Sequence, residues 1–201
     1  MNTPVFCLKP PLSWIADDIG PARVKLYVGD QMAAADPELL VSHGITAVLN
    51  CAYDLDINYV GGAGARHAGT SAVPFGVAPF RVAKVGLIDG PGNHPSLLAA
   101  ACHALEGLLH QEPSTAPHDE PIAFGNVLVH CRAGLSRSVT VAALYLHLKH
   151  TDRWPLYEDA LNHVRLRRGF ASTEYQFAPT QGMRKLAAAL LASGQPMFKA
   201  A

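Results

Sequence analysis

The sequence has no surplus of either charge. Sixteen lysines and arginines balance sixteen aspartates and glutamates over 201 residues, a formal net charge of zero, so no global field favours nucleic acid or an anionic membrane. Any anion recognition is therefore local. Charged residues are scarce at 16% while 49% are hydrophobic, a balance that argues against extended disorder. Long apolar runs are missing too: none approaches the roughly 18 residues that span a bilayer. The opening stretch MNTPVFCLKPPLSWIADD lacks the basic start and continuous apolar core of a signal peptide. These absences predict a cytoplasmic chain with no membrane and no nucleic-acid partner, and the length predicts one main domain.

Cysteine is sparse and scattered. Cys7, Cys51, Cys102 and Cys131 form no C-x-x-C pair, which fits neither a zinc site nor a stapled secreted scaffold, so reduced thiols are expected. The Walker pattern G-x-x-x-x-G-K-[ST] is missing, as is any internal repeat. His147 and His150 lie three apart on a helical pattern but have no third ligand at a matching spacing. No metal and no cofactor are expected.

What is present reads as alternating strands and helices. Residues 1–21 are proline-rich and irregular, an arm across a domain of residues 22–195, with a tail at 196–201. Residues 24–28 alternate and stop at Gly29 and Asp30, a strand and turn. Asp36 and Pro37 open a helix that Gly44 closes, and residues 46–51 form an almost continuous apolar strand of the kind buried on both faces. Residues 52–79 lose all periodicity; so long an irregular stretch is more often functional than idle. A strand at 80–88 ends in the turn residues Asp89 to Asn93. A one-faced helix follows around 97–109, then a proline-bearing loop, a short strand at 126–130, an apolar helix at 138–150, and helices near 156–168 and 174–192. The pattern is α/β: a central, mostly parallel sheet flanked by helices, with ligands expected where loops leave the carboxyl ends of strands.

One such exit is VHCRAGLSRS, residues 129–138. Its loop is too short and small-sided to hold contents of its own. Small residues let the backbone curl so that its amides point inward, and the helix start adds unpaired N–H groups and a positive dipole end. The result is an anion cradle. Arg137 adds a planar fork suited to two oxygens of a phosphate, and the same donors favour the thiolate of Cys131. A phosphate monoester in this cradle would have its phosphorus in line with the sulfur, which points to a cysteinyl-phosphate intermediate.

Residues 130–138 resemble the H-C-x-x-G-x-x-R-[ST] signature of the cysteine-dependent protein tyrosine phosphatase superfamily, in the A-G-x-S-R-S form of its dual-specificity branch. Supporting similarity runs from Leu26 to Gly29, through residues 44–50, the Asp89 loop and the apolar helix, to residues 160–168. The resemblance implies a single-domain dual-specificity-phosphatase-like fold. It makes Cys131 the nucleophile and Arg137 the phosphate clamp, with Arg132, Ala133, Gly134, Leu135 and Ser136 lining the cradle. Ser138 would donate to the departing sulfur, His130 would hold the loop through its ring nitrogens, and Asp89 would be the general acid on a loop that glycines around Pro91 let close. Asp54 and Asp56 are weaker rivals for that proton, and Asp119 lies on the wrong end of the strand.

The implied activity is phosphomonoester hydrolysis on phosphotyrosine, and on phosphoserine or phosphothreonine, of proteins. The loop carries no lysine of the kind found in the superfamily's inositol-lipid phosphatases, which disfavours such lipids. A nucleotide, RNA or sugar phosphate stays open as substrate, as does a silent phosphate-binding module. Sulfur transfer on a rhodanese-like loop does not call for His130, Ser138 or a remote acid. Cys51, at the end of a strand expected to neighbour residues 126–130, is either a core thiol or a partner for Cys131 under oxidation. Arg66 and His67 are candidates for a second anionic group on the substrate. Arg165, Arg167 and Arg168 read most simply as a solvated helix end.

Overall fold

The apolar run at 46–51 forms a central strand of a five-stranded sheet. The computed structural model describes residues 9–60, 78–111, 124–170, 177–194 and 197–198. Its strands are β1 (Leu12–Ile19), β2 (Val24–Gly29), β3 (Ile45–Ala52), β4 (Arg81–Leu87) and β5 (Asn126–His130), in the order β1-β2-β5-β3-β4. Strands β2, β5, β3 and β4 are parallel; β1 pairs antiparallel with β2 at the edge.

Alternation along the strands sorts the core into two layers. Leu26, Val28, Ala47, Leu49, Val127 and Val129 face one side, while Tyr27, Val48 and Leu128 face the other, and all are buried. Both faces must therefore be covered, which is why these strands lack a polar side. The larger layer holds α3 (Pro95–His110), α4 (Arg137–Lys149), α5 (Tyr157–Arg167) and α6 (Gln181–Ala192); the smaller holds α1 (Gln31–Ala34) and α2 (Pro37–Ser42). Helix α4 is buried from Arg137 through Leu146, as expected for an apolar helix at the centre of its layer. Among the described residues no helix is long and apolar enough to cross a membrane.

Two stretches differ from the sequence reading. Residues 12–19, read as irregular arm, join the sheet as β1. Its register shifts twice, between Trp14 and Ala16 and between Ala16 and Ile19, and Asp18 has φ +56°, so the period-two signal is broken. The carbonyls of this edge strand find partners outside the sheet: His163 Nε2 donates to Ile15 O at 2.8 Å, Arg167 Nε to Trp14 O at 3.1 Å and Arg153 Nη1 to Asp17 O at 2.9 Å. The last helix starts at Gln181 rather than near 174. Pro179 removes an N–H and biases Ala178 away from helical backbone, and Thr180 caps the helix by accepting from Met183 N at 3.4 Å.

Candidate active site

All four parallel strands deliver their carboxyl ends to one place. The loop after β5 carries Cys131 to Ser136; the segment after β3 brings Asp54, the loop after β4 brings Asp89, and Gly29 closes β2 against the loop backbone. This convergence follows from parallel strands of similar length, whose ends make a crevice above the sheet.

Cys131 is 0% exposed and Arg137 only 3%, so sulfur and guanidinium share a recessed site and the arginine does not reach toward bulk solvent. Ser138 Oγ lies 3.3 Å from Cys131 Sγ. Arg137 Nη1 donates to Asp54 Oδ1 at 2.7 Å and to Leu87 O at 3.2 Å, while its buried Nε has no hydrogen bond among the described residues and stands 4.0 Å from Asp89 Oδ2. Burial opposes the charge on Arg137. The hydrogen bond it donates to Asp54 and the neighbouring Cys131 and Asp89 outweigh it and raise its pKa above the ordinary guanidinium value.

Ser136 precedes α4 but makes no side-chain cap, so its hydroxyl does not occupy the amides of the first turn. Its hydroxyl is engaged elsewhere. It accepts from Thr180 N at 3.1 Å and lies 3.3 Å from Thr180 Oγ1, which donates to Asp89 Oδ1 at 3.4 Å. Thr180, just ahead of α6, thereby links Ser136 to the predicted acid. Asn93 closes the Asp89 loop from below, accepting from Ile88 N and donating to Ile88 O, both at 2.8 Å. A Cβ on Gly182 would come within 2.5 Å of the Gly90 carbonyl carbon, so the first turn of α6 lies directly against this loop.

Gly134 has φ +65°, and a Cβ there would lie 2.6 Å from Gly29 O and 2.7 Å from Arg168 Nη2. Only glycine fits so close a backbone crossing in a left-handed conformation. Its carbonyl accepts from Arg168 Nε at 3.1 Å. Arg168 is a correction to the solvated helix end: it is 0% exposed, and its Nη1 also donates to Pro10 O at 2.9 Å and Ser13 Oγ at 2.8 Å. Burial brings its pKa down to about 10, which still leaves it charged at neutral pH. It braces the loop after β5 against β1.

The remaining predicted residues fall into place around this core. Arg132 is half exposed and turned onto Asp54, with Nε 3.1 Å from Oδ2. Leu135 packs on the core and Ala133 is exposed. His130 is buried with Nδ1 unpartnered among the described residues, so bracing through both ring nitrogens is not seen. Burial drives its pKa down to about 4, against the weaker opposing pull of the Cys131 backbone and Asp30. At neutral pH its ring carries no charge beside the thiol. Asn50 pairs with His130 across β3 and β5, so Cys51, within β3, and Cys131, just past β5, are next to each other in register; Cys51 is a free buried thiol whose pKa burial, then Cys131, pushes well up.

Asp54 does not stand free as a rival acid but is committed to the arginines, and Asp56 pairs with Lys84. His147 Nδ1 donates to Trp154 O at 3.1 Å and His150 packs edge-on to Trp154, which are structural roles. Arg66, His67, Asp119 and Cys7 lie outside the described residues. Sequence reasoning missed Thr180 and Arg168 and undervalued Asp54. Only Asp54 carried a signal, its place just past a central parallel strand.

Comparison with known proteins follows the same line. No family model matches the chain. Human dual specificity protein phosphatase 4 is 29% identical over 164 residues, covering 80% of this chain and 34% of that protein. Human dual specificity protein phosphatase 14 is 29% identical over 144 residues, covering 71% of this chain and 57% of that protein. The solved phosphatase domain of Yvh1 from Chaetomium thermophilum superposes with a TM-score of 0.63 at 23% identity, covering 94% of this chain and 99% of that one. The chain thus has the fold of the dual-specificity cysteine phosphatases, and the likeness seen in its signature extends over most of its length. It spans about a third of the length of the phosphatase 4 relatives it matches.

Proposed function

We propose that the chain hydrolyses phosphomonoesters without a metal, through a cysteinyl-phosphate intermediate, acting on phosphotyrosine and secondarily on phosphoserine or phosphothreonine of proteins. The observation that carries this reading is that the buried Arg137 guanidinium feels the charge of Cys131 while its Nε has no hydrogen bond among the described residues. A buried charged donor without a partner is costly; a phosphate oxygen would satisfy it. The named activities of the sequence relatives point the same way.

In the first step the Cys131 thiolate attacks phosphorus, and the S–P bond forms as the P–O bond to the leaving group breaks. Asp89 gives its proton to the departing oxygen. Arg137 and the first-turn amides of α4 hold the three equatorial oxygens. In the second step water attacks phosphorus, Asp89 takes a proton from it, and the P–S bond breaks. The sulfur leaves as thiolate, accepting a hydrogen bond from Ser138, whose hydroxyl lies 3.3 Å away.

Hydrolysis of p-nitrophenyl phosphate in the presence of chelator tests the proposal. Wild type is expected to turn over, Cys131→Ser to lose nearly all activity, and phosphotyrosine peptides to be better substrates than nucleotide or sugar phosphates. Retained turnover in Cys131→Ser would remove the nucleophile. Oxyanion binding without turnover in wild type would mark a phosphate-reading module instead.

A further inference from the structure

Asp54 follows β3 directly and takes no part in the two steps above. Yet its contacts are among the most specific in the site. Oδ1 accepts from Arg137 Nη1 at 2.7 Å, Oδ2 lies 3.1 Å from Arg132 Nε, and its backbone oxygen accepts from Arg132 Nη2 at 3.1 Å. Its side chain is 29% exposed whereas that of Arg137 is 4% exposed, so it lies on the outer side of the clamp.

A guanidinium is a rigid plane with several donors, and which edge meets the ligand depends on which nitrogen is already held. Here Nη1 is held twice, by Asp54 and by Leu87 O at 3.2 Å. Among the described residues no group hydrogen-bonds the buried Nε, from which Asp89 Oδ2 stands off at 4.0 Å, and none engages Nη2. The Nε–Nη2 edge is the one left for two phosphate oxygens. A carboxylate that merely plugged the cradle would be expected on that edge, in the ligand's place. Asp54 takes the other nitrogen.

We infer that Asp54 is a positioning residue: its carboxylate fixes the plane of Arg137, with help from Arg132, so that the Nε–Nη2 edge faces the cradle before substrate arrives. The inference rests on the phosphatase reading and extends it. Pre-organising a long side chain removes an ordering cost that binding would otherwise meet. The Arg137 guanidinium, through its hydrogen bond, holds the Asp54 carboxyl below the usual carboxylate range, so the support persists in mild acid.

The test compares full-length wild type, Asp54→Ala and Asp54→Asn in p-nitrophenyl phosphate turnover, in competitive inhibition by inorganic phosphate, and in thermal melting. Asp54→Ala is expected to lower kcat/KM and weaken phosphate inhibition by about tenfold to a hundredfold, the scale of one hydrogen bond to a charged group. Asp54→Asn keeps an acceptor oxygen for Nη1 and should recover part of that loss. Arg137→Lys lacks the fork, so it should cost less in either Asp54 variant than in wild type, whereas a merely structural role would leave the costs additive. If Asp54→Ala does not fold, Asp54→Asn and its cycle with Arg137→Lys decide. Phosphate inhibition as strong as in wild type, or stronger, would make Asp54 idle or a plug and overturn the inference. If wild type neither hydrolyses the ester nor binds phosphate, the phosphatase reading itself fails and this assignment goes with it.

Discussion

Acidification bears on one ring next to the nucleophile. His130 is 1% exposed, its Nδ1 has no hydrogen bond among the described residues, and burial takes its pKa from 6.5 to about 4. Between those values the unfolded chain binds a proton that the folded chain refuses. Stability is therefore full above about pH 6.5 and falls as pH drops toward 4. Each pKa unit is worth about 1.4 kcal/mol, so the whole window amounts to roughly 3 kcal/mol and the part reached at pH 5 to about 2 kcal/mol. Other groups titrate in acid as well: His150 is also depressed by burial, and the lowered carboxyls of Asp54 and Glu106 lose their contribution at lower pH still. The comparison must therefore be with His130→Gln, which keeps those groups and removes the ring. Urea denaturation at pH 7.5 and pH 5.0 reads the difference. The loss on acidification should be larger in wild type than in His130→Gln by about 2 kcal/mol. Equal losses in the two proteins would mean that the ring is either charged when folded or hydrated, and the burial argument would fail. The outcome matters for the chemistry. If the ring is neutral at pH 7, it adds no positive charge beside the Cys131 sulfur, which then has Arg137 as its neighbouring cation.

Three further expectations follow from the site. Arg168→Met removes donors to Gly134 O, Pro10 O and Ser13 Oγ, and should cost about 2–4 kcal/mol in urea denaturation with a fall in kcat/KM that Arg168→Lys partly restores; unchanged stability and turnover would show the brace to be idle. Asp89→Ala should lower kcat by about 10²- to 10⁴-fold with alkyl phosphates and much less with p-nitrophenyl phosphate, whose leaving group needs little protonation; equal losses on both would deny Asp89 the acid role. Hydrogen peroxide should oxidise Cys131 to the sulfenic acid, which the Cys51 thiol then captures with loss of water, giving a disulfide that dithiothreitol reverses; peptide mapping that finds over-oxidised Cys131 and no link to Cys51 would leave Cys51 a core residue.

The parts of this molecule that could be read from sequence are those fixed by short-range rules. Residues 47–49 and 127–129 are apolar at every position because parallel central strands bury both faces, and residues 130–138 combine small side chains, a thiol and a guanidinium in a spacing that states its use. The illegible parts depend on long-range contacts. β1 has a broken alternation and is held by arginines and a histidine from around α5, more than 130 residues away. Arg168 stands in a run with Arg165 and Arg167 that looks alike at every position, and only the fold decides that Arg168 turns inward to Gly134. Asp54 looked like a spare acid because nothing local shows that two arginines about 80 residues on will meet it. Thr180 has the same character: by pattern it falls inside a helix at 174–192, and by geometry it caps α6 and links Ser136 to Asp89.

The account stands on sulfur accepting phosphorus. Rapid acid quench of wild type during turnover, followed by mass spectrometry of the Cys131 peptide, reads that bond directly. A phosphoryl group on Cys131 that forms within the first turnover, and is missing in Cys131→Ser, is the predicted result. Sustained hydrolysis with no phosphoryl group on that peptide, or turnover that survives the loss of the thiol, would contradict it.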